Sequence, residues 1–192
     1  LAPLIIVALA IPLIVVLSLL LVAMLMTPAI VNLVAGRRFP QLERLHGAGF
    51  LQSAFWSLSF TLLALVALVV SIPFWFVPPL ILVLPPLIWG WLTYRVLSFD
   101  VMAEHASSEE RKQIMREHRW PLLAMGVVAG YLGAAPSLVW AVSATMLIFA
   151  PLLIVVAVWI YTLVFAFSAL WFAHYALSAL QTLRAERDAV QV

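Results

Sequence analysis

The chain has 192 residues, of which 66% are apolar and only 9% charged. A soluble domain is about half apolar and about a quarter charged, so lipid rather than water is the expected main solvent. Ten Lys+Arg against eight Asp+Glu leave a net charge of +2, too small and too dispersed an excess for a nucleic-acid partner. The absence of cysteine excludes a disulfide framework, a Cys-ligated zinc and thiol catalysis.

Leu1 already lies inside an apolar run, so the sequence reads as a fragment whose start is missing. Its charges fall in three patches: Arg37, Arg38, Glu43 and Arg44; ten charges from Arg95 to Arg119; and Arg184, Glu186, Arg187 and Asp188. Between them, 1–36, 45–94 and 120–183 carry no charge. A spanning helix needs about 20 apolar residues. The first stretch therefore holds one span and the second two; the third holds two, or one span and a re-entrant pair. Short alternating segments of the barrel kind are not seen. The expected fold is an all-α integral membrane protein, a single membrane domain over 1–192, with long transmembrane helices and Pro/Gly-broken hemi-penetrating helical hairpins. If 45–94 leaves and returns, the first two patches share a face. They hold eight of the ten Lys+Arg, which makes that face cytoplasmic by the positive-inside rule.

In 1–36, Pro12 and Pro28 each remove a backbone donor from a helical run. Thr27 and Asn32 sit close to the carbonyls that Pro28 frees. The spacing reads first as a kinked helix with a satisfied Asn32, and second as a substrate contact. Residues 50–76 form one long span. Pro73, Pro78, Pro79, Pro85 and Pro86 then fall within 14 residues, and 78–98 reads as a broken or hemi-penetrating hairpin. Arg95 and Asp100 flank its end, either as a substrate-ion site or as a solvated ion pair.

The charged segment 100–119 is expected in the cytosol. Ser107-x-x-Glu110 is a capping-box pattern, so a short helix starts at Ser107; its mixed signs suggest a solvated or headgroup-lying surface helix. In 121–150, Gly126, Gly130, Gly133 and Ala134 fall on one helical stripe, the packing surface for another helix. Pro136 then interrupts the run, and paired interruptions of this kind point to a transport site. Gly130, Gly133 and Pro136 therefore join Asn32, Arg95 and Asp100 as candidate substrate-binding residues. Residues 152–183 form a last long helix with His174 and Tyr175 near its end. Trp56, Trp75, Trp89, Trp91 and Trp120 read as interfacial anchors rather than a cofactor cage.

No phosphate-binding glycine loop, HExxH or GxSxG occurs. Glu104-His105 and Glu117-His118 are adjacent pairs whose members point to different helix faces. No metal site, cofactor or catalytic residue is assigned, and a membrane enzyme is the least favoured reading. An anion could instead be held by helix N-termini at the broken hairpins, where backbone N–H groups supply positive potential. The alternative to a transport protein is a non-transporting scaffold that docks through the glycine stripe and the charged helix.

The order of features resembles the CysZ-type sulfate permeases and the wider etoposide-induced protein 2.4 family. The resemblance rests on TPAIVNLVAGRRFPQLERL, VPPLILVLPPLIWGW, Phe99-Asp100, SSEERKQIMREHR and MGVVAGYLGAAPSLVW, in that order. The family's Pro-Phe-Asn stands here as Pro28-Ala29-Ile30, with Asn32 two positions on. The resemblance implies two long transmembrane helices plus two hemi-penetrating pairs. It also implies homo-oligomers in the bacterial inner membrane, with the lipid bilayer and a small anion, sulfate, as partners.

Overall fold

The computed structural model describes residues 25–141 and 150–190. All regular structure among them is helical. Helix α1 covers 25–38 and α2 is Phe50–Ser71. A 3-10 turn at Ile72–Phe76 leads to α3, Pro78–Met102. Then follow α4 (Ser108–Glu117), α5 (Arg119–Ala141) and α6 (Ala150–Val190). Segments Leu51–Phe74, Leu82–Met102 and Val156–Val190 are long and apolar enough to cross a membrane. The expected all-α membrane architecture is therefore present; Pro12 lies outside the described residues.

The chain reverses at a different place from the one expected. Val77 is extended (φ −97°, ψ 105°) and separates the 3-10 turn from α3. Helix α3 then runs without interruption through Pro85 and Pro86, so 78–98 is one helix arm rather than a hairpin. Pro78 and Pro79 occupy its first turn, where the missing N–H groups have no helical partner to lose. Further in, prolines are tolerated because lipid offers the freed carbonyls no competing water, so leaving the helix gains nothing. By the same argument α5 passes Pro136 as helix. Residues 142–149, between α5 and α6, lie outside the described residues. Helix α3 also continues to Met102, with Val101 and Met102 fully buried. The segment expected in the cytosol over 100–119 therefore begins inside a packed helix.

Helices α3 and α5 run antiparallel with backbones in contact. A Cβ built on Gly90 would lie 2.5 Å from Val127 Cα, and one on Gly130 would lie 2.7 Å from both Gly90 N and Pro86 O. One on Gly126 would strike Gly90 O. Only glycine permits this approach, and carbonyl contacts with the glycine Cα groups become available. Gly133, on the same expected stripe, has open space where a Cβ would go, so the seam ends at Gly130. The side chains of Ala134 and Pro136 lie outside the described residues.

The packed core sits at the charged end. Ala169, Phe172, Ala173, Ala176, Leu177, Leu180 and Leu183 of α6 recur every three or four residues and form one buried stripe. They meet Val31 and Val34 of α1, Leu97 and Val101 of α3, and Leu122 and Met125 of α5. Away from that end, α2 and α6 around Trp159 expose large apolar side chains such as Leu58, Leu62 and Trp159, as surfaces solvated by lipid do. At about 1.5 Å per residue, the 41 residues of α6 reach well past a hydrocarbon core of about 30 Å. The excess carries its charged end out to α4.

Candidate functional site

The three charged patches meet at one end of the fold, and Arg184 is the joint. Its Nε lies 3.0 Å from Glu110 Oε1 and its Nη2 3.1 Å from Glu110 Oε2. The same guanidinium donates to His105 O (2.7 Å) and to the Glu43 carbonyl (3.0 Å). One planar fork thus ties the 39–49 loop, the α3–α4 turn, α4 and α6, a task suited to arginine and not to lysine. Ser107 and Glu110 form the expected capping box: Glu110 N donates to Ser107 Oγ (3.2 Å) and Ser107 N to Glu110 Oε2 (2.8 Å). Burial alone would raise the Glu110 pKa. The hydrogen bonds from Arg184 and Ser107, with the charge of Arg184, outweigh it and hold the carboxyl below its ordinary value.

Helix α4 is therefore not wholly a solvated surface helix. Glu110, Arg111 and Ile114 form a buried face. Arg111 is only 3% exposed and rests 4.2 Å from the Phe99 ring centroid. Its burial lowers its pKa, and no ion pair to it forms among the described residues.

A chain of rings joins α2 to α3. Phe99 stacks on Trp56 (4.7 Å, 17°), Trp56 packs on Phe60 (4.7 Å), and Phe60 packs on Trp91 (5.6 Å). Trp56 Nε1 donates to Arg95 O (3.2 Å). The Arg95 guanidinium lies 5.4–5.8 Å from the Phe60, Trp91 and Tyr94 centroids, within cation–π range. Trp91 thus faces the Arg95 guanidinium and Trp56 ties α2 to the α3 backbone, so neither is a simple anchor, while Trp120 is exposed as an interfacial anchor would be.

Beside this ladder, a cavity of about 330 Å³ opens between α1 at Thr27–Val31, the loop at 46–49, the first turns of α2 and the last turns of α3. Its polar lining includes Thr27, His46, Ser53, Ser57, Asp100 and Glu104. The loop is pinned beneath α3 by His46 N to Glu104 O (2.9 Å) and Ala48 N to Ala103 O (3.1 Å). His46 adopts the left-handed conformation (φ 47°). A Cβ at Gly47 would collide with Ala106 O, so the chain there needs glycine.

The structure separates the candidate substrate-binding residues into two groups. Asn32, Arg95 and Asp100 lie toward the charged end. Buried atoms there have no hydrogen-bond partner among the described residues: Asn32 Oδ1, Arg95 Nε, Ser98 Oγ and Asp100 Oδ1. Asn32 is thus not the satisfied side chain expected from its place after Pro28. Arg95 and Asp100 are not a solvated ion pair either, for no salt bridge joins them. Gly130 belongs to the α3–α5 seam, and Gly133 faces open space. The expected anion cradle at the Pro78–Pro86 helix start is also contradicted, because Pro78 and Pro79 at its first turn have no N–H to offer. Sequence reasoning missed the Arg184 joint, Arg111 and Ser98. For Arg184 a signal existed: it extends the Leu177–Leu180–Leu183 stripe by one step.

No curated protein and no solved structure matches the chain. Residues 1–143 match the family described as Sulfate transporter CysZ/Etoposide-induced protein 2.4. With most of its length covered by that match, the chain belongs to the CysZ/etoposide-induced protein 2.4 family of membrane proteins.

Proposed function

We propose that the protein is a membrane transport protein, not an enzyme, and that it moves a small sulfate-like inorganic anion across the bacterial inner membrane, its charged end in the cytoplasm. The observation that carries the transport reading is the set of orphaned polar atoms on the membrane helices. Arg95 Nε and Ser98 Oγ lie about one turn apart on α3, and Asn32 Oδ1 stands on α1. In a lipid solvent a buried polar atom without a protein partner costs several kcal/mol, on the order of a lost hydrogen bond or more. Such groups mark water-filled or solute-filled routes.

Sulfate as the solute is supported by the family description and by Arg95. Its guanidinium is held against three rings and leaves Nε without a partner. A planar fork of this kind suits a tetrahedral oxyanion. The scaffold reading loses its main surface, because Gly126 and Gly130 are covered by α3 of the same chain. Assembly into homo-oligomers belongs to the same proposal.

Liposomes containing the full-length protein should take up labelled sulfate above empty liposomes, and Arg95→Gln should slow that uptake about tenfold or more, the loss of one charge-assisted contact. Uptake equal to that of empty liposomes for sulfate and related anions would remove the anion reading.

A further inference from the structure

The cavity at Asp100 has a chemistry that an anion route does not explain. Among the described residues two carboxylates, Asp100 and Glu104, line it, and no lysine or arginine does. Neither carboxylate takes part in a salt bridge among the described residues. Asp100 Oδ1 is buried and accepts no hydrogen bond. Sulfate would meet net repulsion here.

The hydroxyls tell the same story. Ser59, Thr61, Thr93, Thr162, Ser168 and Thr182 each donate to a carbonyl of their own helix four residues back, at 2.7–3.1 Å. That is the ordinary way for a helical hydroxyl to satisfy itself in lipid. Ser53 and Ser57 of α2, which line the cavity, make no such bond among the described residues, although the carbonyls of Gly49 and Ser53 stand at the corresponding positions. Thr27 and His46 are the other polar side chains of the described wall, and Val31, Ala54, Leu97 and Phe165 give it an apolar side.

We propose that this cavity binds an amphipathic organic cation, with an ammonium head between Asp100, Ser53 and Ser57 and an apolar body against Ala54, Leu97 and Phe165. A bare metal ion does not fit the description, because about 330 Å³ is far more than a coordination shell and most of the wall offers no oxygen. An ammonium group donates three hydrogen bonds and matches acceptors that have none. Its positive charge offsets a carboxylate that the interior would otherwise leave unpaired. The ammonium has two sources: a free amine, or the headgroup of phosphatidylethanolamine reaching in from the membrane. The inference rests on the cavity alone and stands or falls separately from sulfate uptake.

The test is titration of n-hexylammonium into the full-length protein in phosphatidylcholine nanodiscs, with hexanol and hexanoate as the neutral and anionic counterparts. Saturable one-to-one binding of hexylammonium is expected, with neither counterpart binding within tenfold of it. Asp100→Asn should weaken binding at least tenfold. Ala54→Leu narrows the cavity where the apolar body would lie, without removing charge, and should weaken binding at least tenfold, so it decides the matter even if Asp100→Asn does not fold. Adding phosphatidylethanolamine to the nanodiscs identifies the source. Competition with hexylammonium assigns the lipid headgroup; unchanged binding assigns a free amine. Hexanol or hexanoate binding as tightly as hexylammonium, unchanged binding in Ala54→Leu, or no saturable binding would overturn the proposal.

Discussion

Arg184 and Glu110 are 74 residues apart in sequence, and Arg184 Nε sits 3.0 Å from Glu110 Oε1 in the fold. The contact is two-pronged and mostly shielded, with side-chain exposures of 20% for Arg184 and 5% for Glu110. It fixes the end of the longest helix onto α4 and the loop beneath α3, and so sets the frame around the Asp100 cavity.

Removing one partner of such a pair leaves the other buried and unpaired. Arg184→Ala should therefore cost about 3 kcal/mol, the low end for a buried ion pair because Arg184 keeps some solvent contact. That corresponds to a fall in melting temperature of roughly 6–12 °C, readable by thermal unfolding in detergent. Arg184→Lys should recover less than half of the loss, because a point charge cannot serve Glu110, the His105 carbonyl and the Glu43 carbonyl together. The Glu110 pKa is depressed in the fold. Its contribution is thus complete above the ordinary carboxylate range and is lost only as pH falls through the lower folded value. A melting temperature for Arg184→Ala within about 1 °C of wild type would show that the joint does not hold the frame.

His105 gives the fold a second, milder pH dependence. It is fully buried, and its pKa is lowered by burial first and then by Arg44, Arg184 and His46, against the opposing charge of Glu104. The unfolded chain binds the proton more readily, so stability is complete above the ordinary histidine pKa and falls as pH drops below it. Acidification from about pH 7.5 to about pH 5.5 should lower the melting temperature. His105→Gln should flatten that slope while Glu110 remains ionised throughout. An identical slope in the variant would assign the effect elsewhere.

The glycine seam makes a prediction of opposite signs at neighbouring positions. An added Cβ at Gly130 would lie 2.7 Å from backbone atoms of Gly90 and Pro86, whereas at Gly133 it meets nothing within 4 Å. Gly130→Ala should force α3 and α5 apart and cost on the order of 1–3 kcal/mol, as overpacking does. Gly133→Ala should be neutral or stabilising by about 0.5–1 kcal/mol through helix propensity. Thermal unfolding of the two variants side by side measures the difference; equal destabilisation would contradict the seam.

Much of the frame is legible before any coordinates. The charge patches place the ends of the helices, because ionised groups cannot rest in hydrocarbon. Ser107 and Glu110 announce the start of α4 through local chemistry alone. Gly126 and Gly130 announce a close helix contact, though not that its partner is Gly90. Pro85 and Pro86 mislead, because a rule learned in water penalises a proline inside a helix more than lipid does. The candidate site is half legible. Arg95 and Asp100 stand out as charges at the edge of an apolar stretch, and the four-residue spacing of Trp91, Arg95 and Phe99 puts them on one face. The grouping of Ser53, Ser57 and Asp100 depends on how α2 packs against α3, which no local pattern encodes.

The absence of cysteine from these 192 residues allows a direct test of whether the polar groups at the charged end face a water-filled route. Ser57→Cys and Asn32→Cys would be introduced singly and treated in membranes with a thiol reagent that cannot cross lipid. Leu62→Cys, at a position 63% exposed on an apolar helix surface, serves as the lipid-facing reference. Rapid labelling at 57 and 32, with Leu62→Cys inert, is expected. Labelling at 57 and 32 no faster than at Leu62→Cys would mean that these side chains are sealed in dry protein, and no solute passes them.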